Sequence, residues 1–223
     1  MATTNEKLLE IYNLLYDAYG PQHWWPGETA IEIITGAILT QNTAWHNVKK
    51  AITNLKNADC LSPRKLHELK IEKLAELIKP AGYYNIKAKR LKNFINWLFD
   101  QYSGDLNLLE SVSTSQLREE LLSINGVGRE TADSILLYAL ERPIFVIDAY
   151  TARIAQRHHL ADPEADYEQL RDLFESNLSQ DVYLYNEFHA LLVRTGYLYC
   201  KPKPKCSECP LNKLPHTINI EYS

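Results

Sequence analysis

Leu8, Ile11, Tyr12, Leu15 and Tyr19 return every three or four positions. That spacing puts apolar side chains on one face of a helix, and Gly20-Pro21 marks its end. Residues 29–39 are apolar with polar residues only at intervals, which predicts a buried helix. Pro63 suits a first helical position, with Leu66 and Leu69 on the inner face. Leu74, Leu77 and Ile78 mark another short helix, closed by Pro80 and Gly82. Leu91, Phe94, Ile95, Leu98 and Tyr102 make a strongly amphipathic helix ahead of Ser103-Gly104. Two helices, at 114–122 and 129–140, flank a glycine pair, and Arg142-Pro143 then breaks the chain. Ile144–Ile147 is too short between helices to stand as a strand and reads as a buried connector. Helices at 149–158, 166–178 and 183–196 follow, and the proline-rich tail from Cys200 has little periodicity. The pattern predicts an all-α protein with a central barrel of about six helices.

Bulk properties narrow the class. A chain of 223 residues can bury a proper core. The net charge of −4 means that any affinity for nucleic acid must come from locally gathered basic groups. The polar start predicts no signal peptide, and no apolar run approaches the roughly 18 residues of a membrane span. Three of the four cysteines, Cys200, Cys206 and Cys209, crowd the tail, which reads as a metal-type cluster in a reducing, cytoplasmic setting.

Several stretches could carry chemistry. In Ile124-Asn125-Gly126-Val127-Gly128-Arg129 the glycines permit positive φ and leave backbone N–H groups uncovered at a helix start, a seat for phosphate. Without further support the same residues make an ordinary helix–turn–helix link. Asp148 follows Glu130 by eighteen positions at the end of an apolar run. Poorly solvated there, it is either a helix cap or a functional carboxylate. Gln41, Asn42 and Thr43 come together at the end of the buried helix, as a polar C-terminus or as a contact surface. Trp24, Trp25 and Pro26 precede that helix and Trp45 follows it, so the indoles could line one cavity or anchor the core. Indole faces attract cations better than other rings do. Lys87, Lys89, Arg90 and Lys92 form the strongest basic cluster of the central region, suited to salt-dependent, sequence-blind phosphate contacts. His189 sits on an apolar stretch and reads as a core histidine.

The hairpin 122–132 with Asp148 at its distance resembles the helix-hairpin-helix DNA glycosylases of the endonuclease III superfamily. With Trp24–Pro26, Ala37–Thr43 and Pro80–Leu91 added, the chain is most similar to the 3-methyladenine DNA glycosylases of that branch, from about Trp24 to about Gln156. The resemblance implies a two-lobed helical fold. Residues 22–140 form the six-helix barrel with the hairpin, and 1–21 with 141–223 form a second lobe carrying the cysteine tail. It implies a DNA repair enzyme that flips a damaged base out of double-stranded DNA and cuts its N-glycosidic bond.

On this reading Asp148 steadies the positive charge developing at C1′ and helps activate water. Gln41, beside Asn42, fills the gap left by the flipped base. Gly126, Val127, Gly128, Arg129 and Thr131, with Lys87 and Lys89, hold the phosphate backbone. Trp25 and Trp45 sandwich the base, and Trp24 and Pro26 line the pocket. Trp45 replaces a smaller ring of the family, which affects the choice of lesion. Bifunctional members carry a lysine where this chain has Glu130, and a carboxylate forms no imine. The resemblance therefore implies a monofunctional enzyme for alkylated purines such as 3-methyladenine, without strand-cleaving lyase activity. The alternatives are a deaminated, mismatched or oxidised base on the same fold, or a non-catalytic binder of damaged DNA.

A monomer, nucleoid-associated and independent of membranes, is expected. Many members hold a four-cysteine iron–sulfur cluster. Here Cys200 and Cys206 stand one residue closer than in that motif, and Pro215, beside His216, occupies the place of the fourth cysteine. The tail is open between an iron–sulfur cluster, a Cys₃His zinc site and free thiols, with no cofactor required for catalysis.

Overall fold

The computed structural model describes residues 2–218. Among them it forms helices and no strand. The chain divides into two compact units. One is Trp25–Arg142, and the other joins the residues up to Trp24 to those from Pro143 onward.

Helix α2 (Ala30–Thr40) is the axis of the first unit. Ile34, Ile38 and Leu39 are fully buried, and the helix packs against α3 (Trp45–Asn57), α6 (Tyr84–Tyr102) and α8 (Arg129–Ser134). A helix apolar all round must be enclosed on every side, and here its neighbours do that. To the six helices expected in this region the structure adds α3. Its buried residues Val48, Ala51, Ile52 and Leu55 do carry helical spacing. Two short helices, α4 (Pro63–Glu68) and α5 (Ile71–Leu77), lead to α6. Ser62 caps α4 by accepting from Lys65 N, and Pro63 is its first residue. Helix α7 (Thr114–Ser123) precedes the glycine hairpin. Beyond α8 the chain widens into a π turn over Ile135–Ala139, with Leu140 N donating to Ile135 O at 3.1 Å, where one continuous α-helix was expected.

The second unit contains α1 (Thr4–Tyr19), α9 (Ala149–Arg157), α10 (Tyr167–Glu175) and α11 (Val182–Leu198). Thr3 and Glu6 make a capping box on α1. Ile144–Ile147 is a buried extended connector. Phe145 stacks on Phe174 at 4.0 Å and meets Tyr185 and Phe188 edge to face. Gly196 lets α11 close on α9, since a Cβ there would overlap the Tyr150 side chain.

Candidate active site and nucleic-acid interface

Gly126 supplies the reversal of the hairpin with φ +96°, and a Cβ there would overlap Arg90 Cγ. Both constraints favour glycine. Gly128, Arg129 and Glu130 are exposed, so the start of α8 faces solvent, whereas the side chains of Val127 and Thr131 are buried. Arg118 Nε and Nη2 donate to the two carboxylate oxygens of buried Asp133 at 2.7 and 3.1 Å, fixing α7 against α8.

Gln41 is tied to this hairpin. Its Nε2 donates to Gly126 O at 3.0 Å and to Thr131 Oγ1 at 2.9 Å, and its Oε1 accepts from Arg90. The expected reach of Gln41 into a duplex is thus not the arrangement here, because its amide is engaged at both ends. The Thr131 hydroxyl likewise turns inward, away from the phosphate role expected for it. Asn42, next along, is exposed in a left-handed conformation with φ +52°.

The basic cluster is corrected in part. Lys87 is 1% exposed, so it is no phosphate contact. Its ammonium donates to Leu39 O and Ala81 O, both at 2.8 Å, and to Thr43 Oγ1. Burial pushes it down to about 8, with the charge of Arg90 adding to the effect. The physical reason is the helix period. Lys87 lies four residues before Leu91 and seven before Phe94, on the buried face of α6. Lys92 Nζ donates to Leu66 O and His67 O, closing the C-terminal end of α4. Of the four cations, Lys89 is the exposed one.

Trp25 and Trp45 do meet. They are edge to face, with centroids 5.1 Å apart at 86°, and Trp25 also packs on Tyr138 at 5.2 Å. Ring quadrupoles favour that arrangement. It leaves no slot for a base between the two indoles, so the expected sandwich is corrected: a base would stack on an open ring face or part the pair. Gly36 gives the indole a close seat, since a Cβ would lie 3.2 Å from Trp25 Nε1 and the ring would have to give by a few tenths of an ångström. The two rings, Pro26, Ile52, Glu32 and Lys56 line a cleft of about 520 Å³ open to solvent. Nothing in the sequence pointed to Glu32. It is 8% exposed, accepts from Glu28 N at 3.1 Å and pairs with Lys56 Nζ at 2.9 Å. Trp24 falls to the other unit.

In that other unit Asp148 is the N-cap of α9, and its Oδ1 accepts from Thr151 N at 2.7 Å. His189 Nε2 stands 3.8 Å from the same oxygen. Burial pushes the His189 pKa down, against a smaller upward pull from Asp148. A core position was legible for His189. Its approach to Asp148 was not, because the two lie far apart in sequence.

Cys200, Cys206 and Cys209 line one cavity with His158 and His216. The donor set does not fit a four-cysteine cluster. Pro215 replaces the fourth thiol, Arg157 Nη1 donates to Cys200 Sγ at 3.3 Å, and no group of three such side chains among the described residues is arranged to hold a metal ion. Ordinary contacts hold this segment. Leu211 is buried, Arg153 donates to Cys200 O at 2.9 Å, and Thr217 N donates to Arg157 O at 2.9 Å. A chelator is therefore expected to leave the melting temperature unchanged, as followed by circular dichroism. A fall of several degrees would make the segment metal-dependent. No helix among the described residues is long and apolar enough to cross a membrane.

The HhH-GPD family model, describing base excision DNA repair proteins, matches residues 35–180. The chain belongs to that superfamily and is a DNA repair glycosylase of it. It is 48% identical over 209 residues to MJ1434, a proposed DNA repair glycosylase of Methanocaldococcus jannaschii, covering 93% of this chain and 95% of the relative. It is 30% identical to endonuclease III of Thermotoga maritima, over 79% of this chain and 78% of that one. Among solved structures, the H. pylori 3-methyladenine DNA glycosylase MagIII, bound to 1,N6-ethenoadenine, superposes with a TM-score of 0.73. It is 31% identical, covering 88% of this chain and 98% of that one. An endonuclease III–DNA complex shares the fold with a TM-score of 0.80 at 20% identity, covering 96% of each chain.

Proposed function

We propose that the protein is a monofunctional DNA N-glycosylase that removes alkylated purines, 3-methyladenine foremost, from double-stranded DNA. The observation that carries the substrate class is the indole cleft. A purine methylated at a ring nitrogen is cationic, and the face of an indole attracts a cation by roughly 0.5–2 kcal/mol, with no such gain for a neutral base. The buried Glu32 carboxylate adds negative charge to the same wall, offset by Lys56. The likeness to the H. pylori 3-methyladenine enzyme supports the same choice.

The chemistry assigned to the chain's own residues is short. As the C1′–N bond breaks, its electron pair goes to the cationic base, which leaves neutral, and positive charge appears on the sugar. The role assigned to the Asp148 carboxylate is to steady that charge and to accept the proton of the water that adds to C1′. Glu130, exposed at the start of α8, offers no amine for an imine, so the sugar–phosphate backbone stays intact. Lys89 and the open hairpin backbone contribute sequence-blind affinity for the duplex.

The test is a panel of duplexes with one lesion each. Faster release of 3-methyladenine than of uracil or 8-oxoguanine, with no adduct trapped by borohydride, is expected. Preferred release of a neutral base would overturn the substrate class, and a trapped adduct would overturn the monofunctional reading.

A further inference from the structure

The wall of the indole cleft carries one fixed charge and one movable charge. Glu32 sits in the first turn of α2, with its side chain 10% exposed. Its two oxygens are held differently. Oε2 accepts from Glu28 N at 3.1 Å, which ties it to the backbone. Oε1 pairs at 2.9 Å with Lys56 Nζ, the tip of a flexible side chain from α3. Trp25, Trp45 and Ile52 line the same cleft.

Lys56 has a second carboxylate within reach. Its Nζ donates to Glu28 Oε2 at 3.0 Å, and the Glu28 side chain is 82% exposed. Glu32 first and Glu28 second push the lysine pKa up, so the ammonium is charged at neutral pH. On leaving Oε1 the ammonium keeps its exposed partner and gains water, which is a small change for a surface charge. Glu32 is in the opposite position. A carboxylate so buried needs a counter-charge, and losing it is strongly unfavourable unless another cation arrives.

We infer that Glu32 is a specificity-determining residue that selects cationic over neutral bases, with Lys56 as its exchangeable counter-ion. The inference rests on the proposed alkylpurine reading and deepens it. A cationic base exchanges with the ammonium at Oε1, and Lys56 turns to Glu28 and solvent. A neutral base brings no charge and leaves the Lys56 pair in place. Indole faces stack neutral bases as well, so the rings hold both kinds and the carboxylate widens the difference between them.

The test is a titration of the full chain with 3,9-dimethyladenine, whose N9 methyl replaces the sugar and preserves the positive charge, and with neutral 9-methyladenine. Quenching of indole fluorescence reports binding. One charge pair at a half-open protein surface is worth on the order of tenfold in affinity. Glu32→Gln keeps an acceptor for Glu28 N, and it is expected to weaken the cation about tenfold while leaving the neutral base unchanged. Lys56→Met is expected to tighten the cation by a similar factor, again with no change for the neutral base. In the double variant that gain should disappear, because it acts through the carboxylate. Equal changes for both probes would make the pair a structural bridge between α2 and α3 and overturn the inference, as would a Lys56→Met protein that binds the cation no better. Should Lys56→Met fail to fold, Glu32→Gln decides the question through the ratio of the two affinities. The fluorescence readout needs no excision, so the two readings fail separately. A wild-type protein that releases 3-methyladenine yet binds both probes alike overturns the inference alone. One that prefers the cation but releases no lesion overturns the glycosylase reading and leaves Glu32 its role.

Discussion

Asp148→Asn is expected to slow base release on the order of 10²–10³-fold while leaving the melting temperature within a degree or two of wild type. The size follows from the kind of interaction lost: one pre-organised charge opposite a developing charge is worth about that much in mutated enzymes. The stability argument is separate. Asp148 caps α9 through Oδ1 and Thr151 N, and asparagine caps a helix about as well as aspartate. The substitution thus removes charge and keeps the cap. Burial holds the His189 imidazole below its usual pKa, and its Nε2, 3.8 Å from the carboxylate oxygen, is too far for a hydrogen bond. Asp148→Ala serves as the contrast, expected to lose the same activity plus about 1 kcal/mol of stability from the missing cap. Single-turnover release with a melting curve reads both quantities. An Asp148→Asn protein that releases base at the wild-type rate would confine this residue to capping.

What could be read from the sequence depended on how local its cause was. Helix α6 was legible because Leu91, Phe94, Ile95 and Leu98 carry the period themselves, and the hairpin because Gly126 needs its own backbone freedom. The same period also contained the signal that Lys87 faces inward, but a count of neighbouring charges hides it. Lys87 and Lys89 are two positions apart, and on a helix that separates buried from exposed. The geometry of Trp25 and Trp45 was beyond reach. The rings flank an eleven-residue helix and meet only because the chain folds back on both sides of it, and whether they stack or meet at an edge depends on Tyr138 and Gly36, which only packing brings there. The neutral pairing of Gln41 with Gly126 and Thr131 is of the same non-local kind.

The hairpin's orientation should depend most on one ion pair, and breaking it is expected to cost roughly 3–5 kcal/mol, a large part of the 5–15 kcal/mol that typically holds a domain folded. The Asp133 side chain is 0% exposed and accepts from both Nε and Nη2 of Arg118, whose side chain is 14% exposed. Two parallel N–H···O bonds to a guanidinium make the strongest common form of such a pair. Arg118→Met removes the guanidinium that binds both oxygens of the buried carboxylate, and the cost is mostly the desolvation of that carboxylate. It follows that removing the charge as well should return much of the loss. Arg118→Met combined with Asp133→Asn is expected to be more stable than Arg118→Met alone, a sign reversal that simple loss of packing would not give. Urea unfolding of the four proteins measures it. Equal or additive losses in the double variant would show that the pair sets no more than local packing, and the angle between α7 and α8 would then have to come from apolar residues of the two helices, such as the buried Leu117 and Leu121 of α7 and Ala132 of α8.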